Sequence, residues 1–182
     1  LQMQKGSKAD GTLGYMTEEQ YEQLVNSDFV EQAGHRRIIG YASNTSSHSI
    51  EINYADNVQQ ELTFCVPTHG AAPEKANEIA STDLALKALG VEPEIGAEVP
   101  LEFELRGKTY HYDMVLSGWW EASNDSVSVA TVSEQFIKEN PNVVQNTYAV
   151  DHEMSGVTFS DVVLKNKANV QQQLNEFVYS IG

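Results

Sequence analysis

Cysteine is nearly missing from this chain: Cys65 stands alone among 182 residues, so no disulfide can form within it. A lone cysteine does not by itself assign a compartment. Positive charge is also scarce, with 11 Lys and Arg against 26 Asp and Glu, a formal net charge of −15. Such a surface repels phosphate backbones and anionic headgroups, so no nucleic-acid partner is expected. Its plain consequence is solubility. Long apolar runs are absent too: no stretch reaches the roughly 18 residues a membrane helix needs. Leu1 to Asp10 has lysines but lacks the apolar region of a signal peptide. The polar, glycine-rich start and the stop at Ile181-Gly182, directly behind a helical pattern, favour a domain from a longer membrane protein over a cytoplasmic one.

The signatures of catalysis are likewise missing. Gly107-Lys108-Thr109 has the ending of a phosphate-binding loop, but the required earlier glycine is replaced by Glu102, and the surrounding pattern is a hairpin. No G-x-S-x-G elbow occurs. His35, His48, His69, His111 and His152 are dispersed without metal-ligand spacing. Cys65 and His69 are four residues apart but carry no thiol-protease signature, and Cys65 reads as a small buried residue. Glu102 and Glu104 belong to the solvent face of a strand, not to a glycosidase pair. The expectation is a protein with no catalytic residue, metal or cofactor.

What is present is ordinary globular material: 41% hydrophobic and 20% charged residues. A chain of this length buries roughly 70% of its unfolded surface, enough for one domain or two small subdomains. Residues 1–14 read as a flexible lead-in. Thr17-Glu18-Glu19-Gln20 is a capping box, and Tyr21, Leu24 and Val25 form an apolar stripe, predicting a helix over Glu18–Asn26. The β-branched second half of Phe29–Tyr41 predicts a strand. Ile50, Ile52 and Tyr54 alternate with Glu51 and Asn53, predicting a half-buried strand. Residues 55–64 fit either a short helix or more sheet, and Pro67 to Pro73 reads as a loop. Ser81 or Thr82 caps a helix ending at Leu89-Gly90.

Val99, Leu101, Phe103 and Leu105 alternate with polar residues, as do Tyr110, Tyr112, Met114 and Leu116. With the turn at Gly107-Lys108, Leu105 would pair with Tyr110, Phe103 with Tyr112 and Leu101 with Met114, leaving Glu102 against Asp113. Further strands are expected at Val127–Thr131 and Val157–Leu164. A short helix capped by Ser133 and a final amphipathic helix from about Ala168 complete the pattern. Strands and helices without regular βαβ alternation predict an α+β fold with a mixed or antiparallel sheet and flanking helices. Trp119 and Trp120, adjacent on a strand, must point to opposite faces, one inward and one toward an interaction surface.

Gly70-Ala71-Ala72-Pro73, Asn77-Glu78-Ile79-Ala80, Leu89-Gly90, Gly96 and the hairpin ending Gly118-Trp119-Trp120-Glu121 together resemble the MacB-like periplasmic core of FtsX-like ABC-transporter permeases. Ala71 stands where the family often has an arginine. Gly14 to Gly40 looks like the Gram-positive branch, and Phe159 to Ile181 is similar to the strand and helix that return the chain toward the membrane. The resemblance implies residues 15–182 as an extracytoplasmic core domain with a smaller subdomain about 67–125, joined through residues 1–14 to a membrane helix. It implies a place on the outer face of the cell membrane and a role in coupling helix movement to export or partner regulation. Its partners would be the permease's own membrane helices and, indirectly, a separate cytoplasmic ATPase. An unidentified substrate or extracytoplasmic protein, and a second permease copy as dimer, complete the implied partners. A competing expectation is a secreted or surface-anchored binding module for a glycan or protein, using Trp119 or Trp120.

Overall fold

The fold comes from a computed structural model that describes residues 7–45, 49–123, 128–145 and 156–182. It is α+β. The elements in chain order are β1 (Gly11–Met16), α1 (Glu18–Val25), β2 (Val30–Ala33), β3 (Arg36–Tyr41), β4 (Glu51–Ala55), α2 (Asn57–Leu62), β5 (His69–Gly70) and β6 (Glu78–Thr82). They continue with α3 (Asp83–Ala88), β7 (Glu98–Leu105), β8 (Lys108–Trp120), β9 (Val129–Val132), α4 (Glu134–Glu139), α5 (Pro141–Gln145), β10 (Val157–Leu164) and α6 (Val170–Ile181). One mixed sheet runs β1-β10-β3-β4-β9-β6-β8-β5, with β2 beside β10 and β7 beside β8. The pairs β4/β9 and β6/β8 are parallel and the others antiparallel.

Local chemistry sets the element ends. The Thr17 hydroxyl accepts from the Gln20 amide at 3.1 Å and the Gln20 side chain accepts from the Thr17 amide at 3.0 Å, the capping box expected of α1. Asp56, Thr82 and Ser133 cap α2, α3 and α4 in the same way, each accepting from an amide three residues on. Within the stretch 55–64 the choice falls to a short helix, Asn57–Leu62.

Part of the stretch read as a flexible lead-in is sheet. Gly11–Met16 forms β1, burying Leu13 and Met16, and pairs with β10 from Gly11–Val162 to Met16–Val157. The Lys8 amide donates to Leu62 O at 2.7 Å, and the Ser7 hydroxyl to Asp161 at 2.8 Å. A Cβ at Gly11 would meet the tip of the Leu174 side chain, so α6 packs directly on this strand.

The hairpin register also differs from expectation. Leu105 faces Lys108, Phe103 faces Tyr110, Leu101 faces Tyr112 and Val99 faces Met114. The turn is Arg106-Gly107, both with positive φ (50° and 76°), as a tight type I′ hairpin demands. The inner face keeps the same residues, but Glu102 now faces His111 and Asp113 faces Pro100, so the expected carboxylate repulsion does not arise.

Among the described residues two main apolar cores result, with a third small cluster of Ala80, Val129 and Trp120. A smaller one gathers Leu13, Met16, Leu24, Val157, Val162, Leu164, Leu174 and Phe177 beneath α1 and α6. A larger one holds Ile39, Ile52, Ile79, Leu86, Leu101, Phe103, Met114, Leu116, Val132 and Phe136. Between them β10 meets β3 at the pair Phe159–Arg36.

Candidate functional site

The junction between the cores is polar. Strand β4, expected to be wet on one face, is covered on both: Ile52 enters the large core while Glu51 and Asn53 are buried on the reverse face. Period-2 alternation places Thr131 of the parallel strand β9 beside Asn53 on that face. Arg36 of β3 reaches Glu51 with a two-pronged grip, Nε to Oε2 at 2.9 Å and Nη2 to Oε1. Asn53 Nδ2 donates to Glu51 Oε2 at 2.7 Å, and the Thr131 hydroxyl donates to Asn53 Oδ1 at 2.8 Å. The guanidinium lies 5.1 Å from the centre of the Phe159 ring on β10. Four strands of the sheet are thereby tied by one chain of side chains. Burial alone would push the Arg36 guanidinium's pKa down, but the hydrogen bond and charge of Glu51 outweigh it and hold the group above its ordinary value.

Other polar ties cross the same junction. The Ile38 amide donates to the Thr158 hydroxyl at 3.0 Å and the Asp161 amide to Gln59 Oε1 at 3.1 Å. His35 Nε2 lies 3.0 Å from Gly156 O. Its ring packs between Tyr21 of α1 and Tyr54 of β4, with centroids 5.0 and 5.4 Å away. These residues border an open cleft of about 280 Å³ lined by Glu18, His35, Arg37, Tyr54, Glu134, Ile137 and Lys138.

The cleft carries a testable electrostatic signature. Burial first, then the charges of Asp56, Glu134 and Glu18, raise the Tyr54 phenol to about 12. Burial first, then Asp56 and its neighbours, raise Tyr21 further. A raised phenol pKa favours the neutral form in the fold. The stabilisation is complete below pH 10, the ordinary value, and is lost as pH rises through about 12. Alkaline titration followed by ultraviolet difference absorbance is therefore expected to show Tyr21 and Tyr54 ionising last, together with unfolding. Tyr54→Phe is expected to flatten that alkaline loss, and an unchanged profile would contradict this electrostatic picture.

The tryptophan pair separates as strand geometry requires. The pairing of β6 with β8 slips between Ile79 and Ala80, from Leu116 to Gly118, so Ser117 is a bulge. The bulge reverses the alternation: Trp119 packs at the margin of the large core, while Trp120 turns to the reverse face with Ala80, Val129 and Cys65. Trp120 is 4% exposed, which removes it from any interaction surface. Trp119 is half-buried and stacks face to face on His69, centroids 3.8 Å apart and planes at 4°. His69 Nε2 lies 3.2 Å from Glu121 Oε1. A Cβ on Gly118 would strike the Ala71 carbonyl, so glycine permits the close approach of β5.

Of the remaining sequence candidates, Cys65 and His69 have separate partners: the thiol contacts Thr63 O at 3.4 Å and its pKa is pushed up by burial. Glu102 and Glu104 lie on the outer face of β7. His111 is exposed and 3.0 Å from Asp113. His48 and His152 lie outside the described residues. The polar junction was not singled out from sequence. Its one signal was Arg36 and Glu51 on strands otherwise rich in β-branched residues.

No protein-family model matches the chain, and no curated protein matches it. Solved structures do. The extracellular domain of the noncanonic ABC-type transporter YknZ from Gram-positive bacteria aligns with TM-score 0.56 and 14% identity, over 92% of this chain and 88% of that one. The periplasmic region of MacB from Actinobacillus actinomycetemcomitans aligns with TM-score 0.54 and 8% identity, over 93% and 74%. A domain of a putative permease protein from Porphyromonas gingivalis aligns with TM-score 0.56 and 9% identity, over 93% and 71%. The fold is therefore the one found in these extracytoplasmic permease domains.

Proposed function

We propose that this chain is the extracytoplasmic domain of an FtsX-like ABC-transporter permease, converting movement of membrane helices into movement of a stiff body outside the bilayer. The observation that carries this reading is the placement of the first strand and the last helix. β1 and α6 lie together on the smaller core, with Leu174 of α6 against Gly11 of β1. Force entering through both ends would act on one small body, and that body is fastened to the larger one through β10, where Arg36 packs on Phe159, the Ile38 amide donates to the Thr158 hydroxyl and the Asp161 amide donates to Gln59. Hinge or shear motion of a domain needs such a bistable or rigid connection, not a soft one. ATP hydrolysis would be the work of a separate cytoplasmic subunit, and the cargo or regulated partner would engage the larger body.

The competing reading as a glycan-binding module rests on Trp119, and the His69 ring already occupies one face of that indole. The permease reading is tested in the intact gene product. An apolar stretch long enough to span a bilayer is expected before Leu1, several more after Gly182, and an ATPase gene alongside. A product soluble from end to end would overturn the reading.

A further inference from the structure

The two strands of the long hairpin differ at their outer edges. The edge of β7 is covered: Ser43 N donates to Glu102 O at 2.7 Å, Asn44 Nδ2 donates to Pro100 O at 2.9 Å, and Ala42 bridges to Phe103. The far edge of β8 is covered only from Val115 onward, where its amide donates to Asn77 O at 2.7 Å and β6 begins. Among the described residues no strand continues beside Thr109, His111 and Asp113.

The direction of the backbone groups there follows from the ladder. Leu105–Lys108 closes a two-residue turn, so Lys108, Tyr110, Tyr112 and Met114 direct their N–H and C=O groups at β7. Their odd-numbered neighbours direct theirs away, as the Val115 amide does toward Asn77. Thr109, His111 and Asp113 therefore present a row of donors and acceptors that no described residue pairs. All three are exposed, whereas Tyr110 and Tyr112 are half-buried on the inner face.

We propose that this edge of β8 is a docking strand for an extended basic segment of a partner protein, added to the sheet by main-chain hydrogen bonds. The side chains define the partner. The outer face of the hairpin carries Glu98, Glu102, Glu104 and Asp113 with a single imidazole, His111. An incoming strand would set its outward side chains beside Thr109, His111 and Asp113, with the β7 carboxylates one strand farther and within reach of long cationic side chains, which calls for Lys or Arg at alternate positions. Its intervening side chains would lie beside Tyr110 and Tyr112, which calls for β-branched or aromatic residues. A second copy of this chain is the wrong occupant: antiparallel self-pairing would bring two acidic hairpin faces, each on a chain of charge −15, side by side.

The test uses the whole 182-residue chain and a short capped peptide alternating lysine and valine. In the free protein, amide exchange by NMR is expected to be fast at Thr109, His111 and Asp113 and slow at Tyr110 and Tyr112. The peptide should slow the first three by about tenfold or more at saturation, and a peptide alternating glutamate and valine should not. His111→Pro removes an outward N–H without touching the β7 ladder and is expected to weaken binding about tenfold. Asp113→Lys keeps the backbone intact and is expected to narrow the preference for the lysine peptide, since Glu98, Glu102 and Glu104 remain. Binding that leaves those three amides unprotected is adsorption to the acidic surface and overturns the proposal. So does equal binding of the glutamate peptide, or protection that rises with protein concentration alone.

Discussion

Glu51→Ala is expected to lower the unfolding free energy by about 3–5 kcal/mol, because it strands a desolvated guanidinium. Glu51 is 3% exposed and receives both Arg36 and Asn53, and the Arg36 side chain is only 24% exposed, so losing the carboxylate leaves both donors without their acceptor in a largely dry site. The cost comes from the partner left behind and not from any large net value of the pair. Replacing both groups by apolar residues of similar size, Arg36→Met with Glu51→Leu, is therefore expected to restore most of the loss. Urea denaturation of the wild type, Arg36→Met, Glu51→Leu and the double variant, with Glu51→Ala beside them, separates the two ideas. If the double variant is as unstable as Glu51→Ala, the pair stabilises the fold outright. If it recovers stability, its worth lies in fixing how β3, β4 and β9 sit together. Under the proposed permease reading, a domain carrying the recovered pair would then be stable yet poorly coupled, which a transport measurement on the intact protein would expose.

The reverse-face burial of Glu51 is also where reading by pattern fails. Alternation over Ile50–Tyr54 correctly marks a strand, but it cannot tell water from a buried carboxylate as the occupant of the second face. That choice depends on Arg36, fifteen residues earlier, and on Thr131, far later in the chain. The capping boxes and caps at Thr17, Thr82 and Ser133 were legible because each is closed within three residues. The hairpin was legible in kind and displaced in register for a local reason. Glycine advertises positive φ at position 107, but Arg106 adopts it too, and nothing in an arginine signals that. The β1 strand was missed because its partner, β10, lies about 150 residues away in sequence and because glycine at Gly11 and Gly14 reads as flexibility.

The tryptophans supply a second test of how long-range packing overrides a sound local rule. Trp120→Ala is expected to cost about 3–5 kcal/mol, the range for deleting a large buried aromatic side chain, while Trp119→Ala stays within about 1 kcal/mol because the indole is half-exposed at the sheet margin. Without the bulge at Ser117, the parity of Met114 and Leu116 would carry Trp120 into the large core and leave Trp119 on the reverse face. The opposite order of effects would therefore mean that the bulge does not form. Trp120→Phe discriminates further. Trp120 Nε1 is buried and no described residue accepts from it, so phenylalanine loses packing area but also removes a donor that is costly to leave unpaired. The net change is expected to be well below that of alanine. Fluorescence separates the pair independently: the emission that survives in Trp119→Ala should be blue-shifted and shielded from quenchers, and that in Trp120→Phe should be red-shifted and open to them.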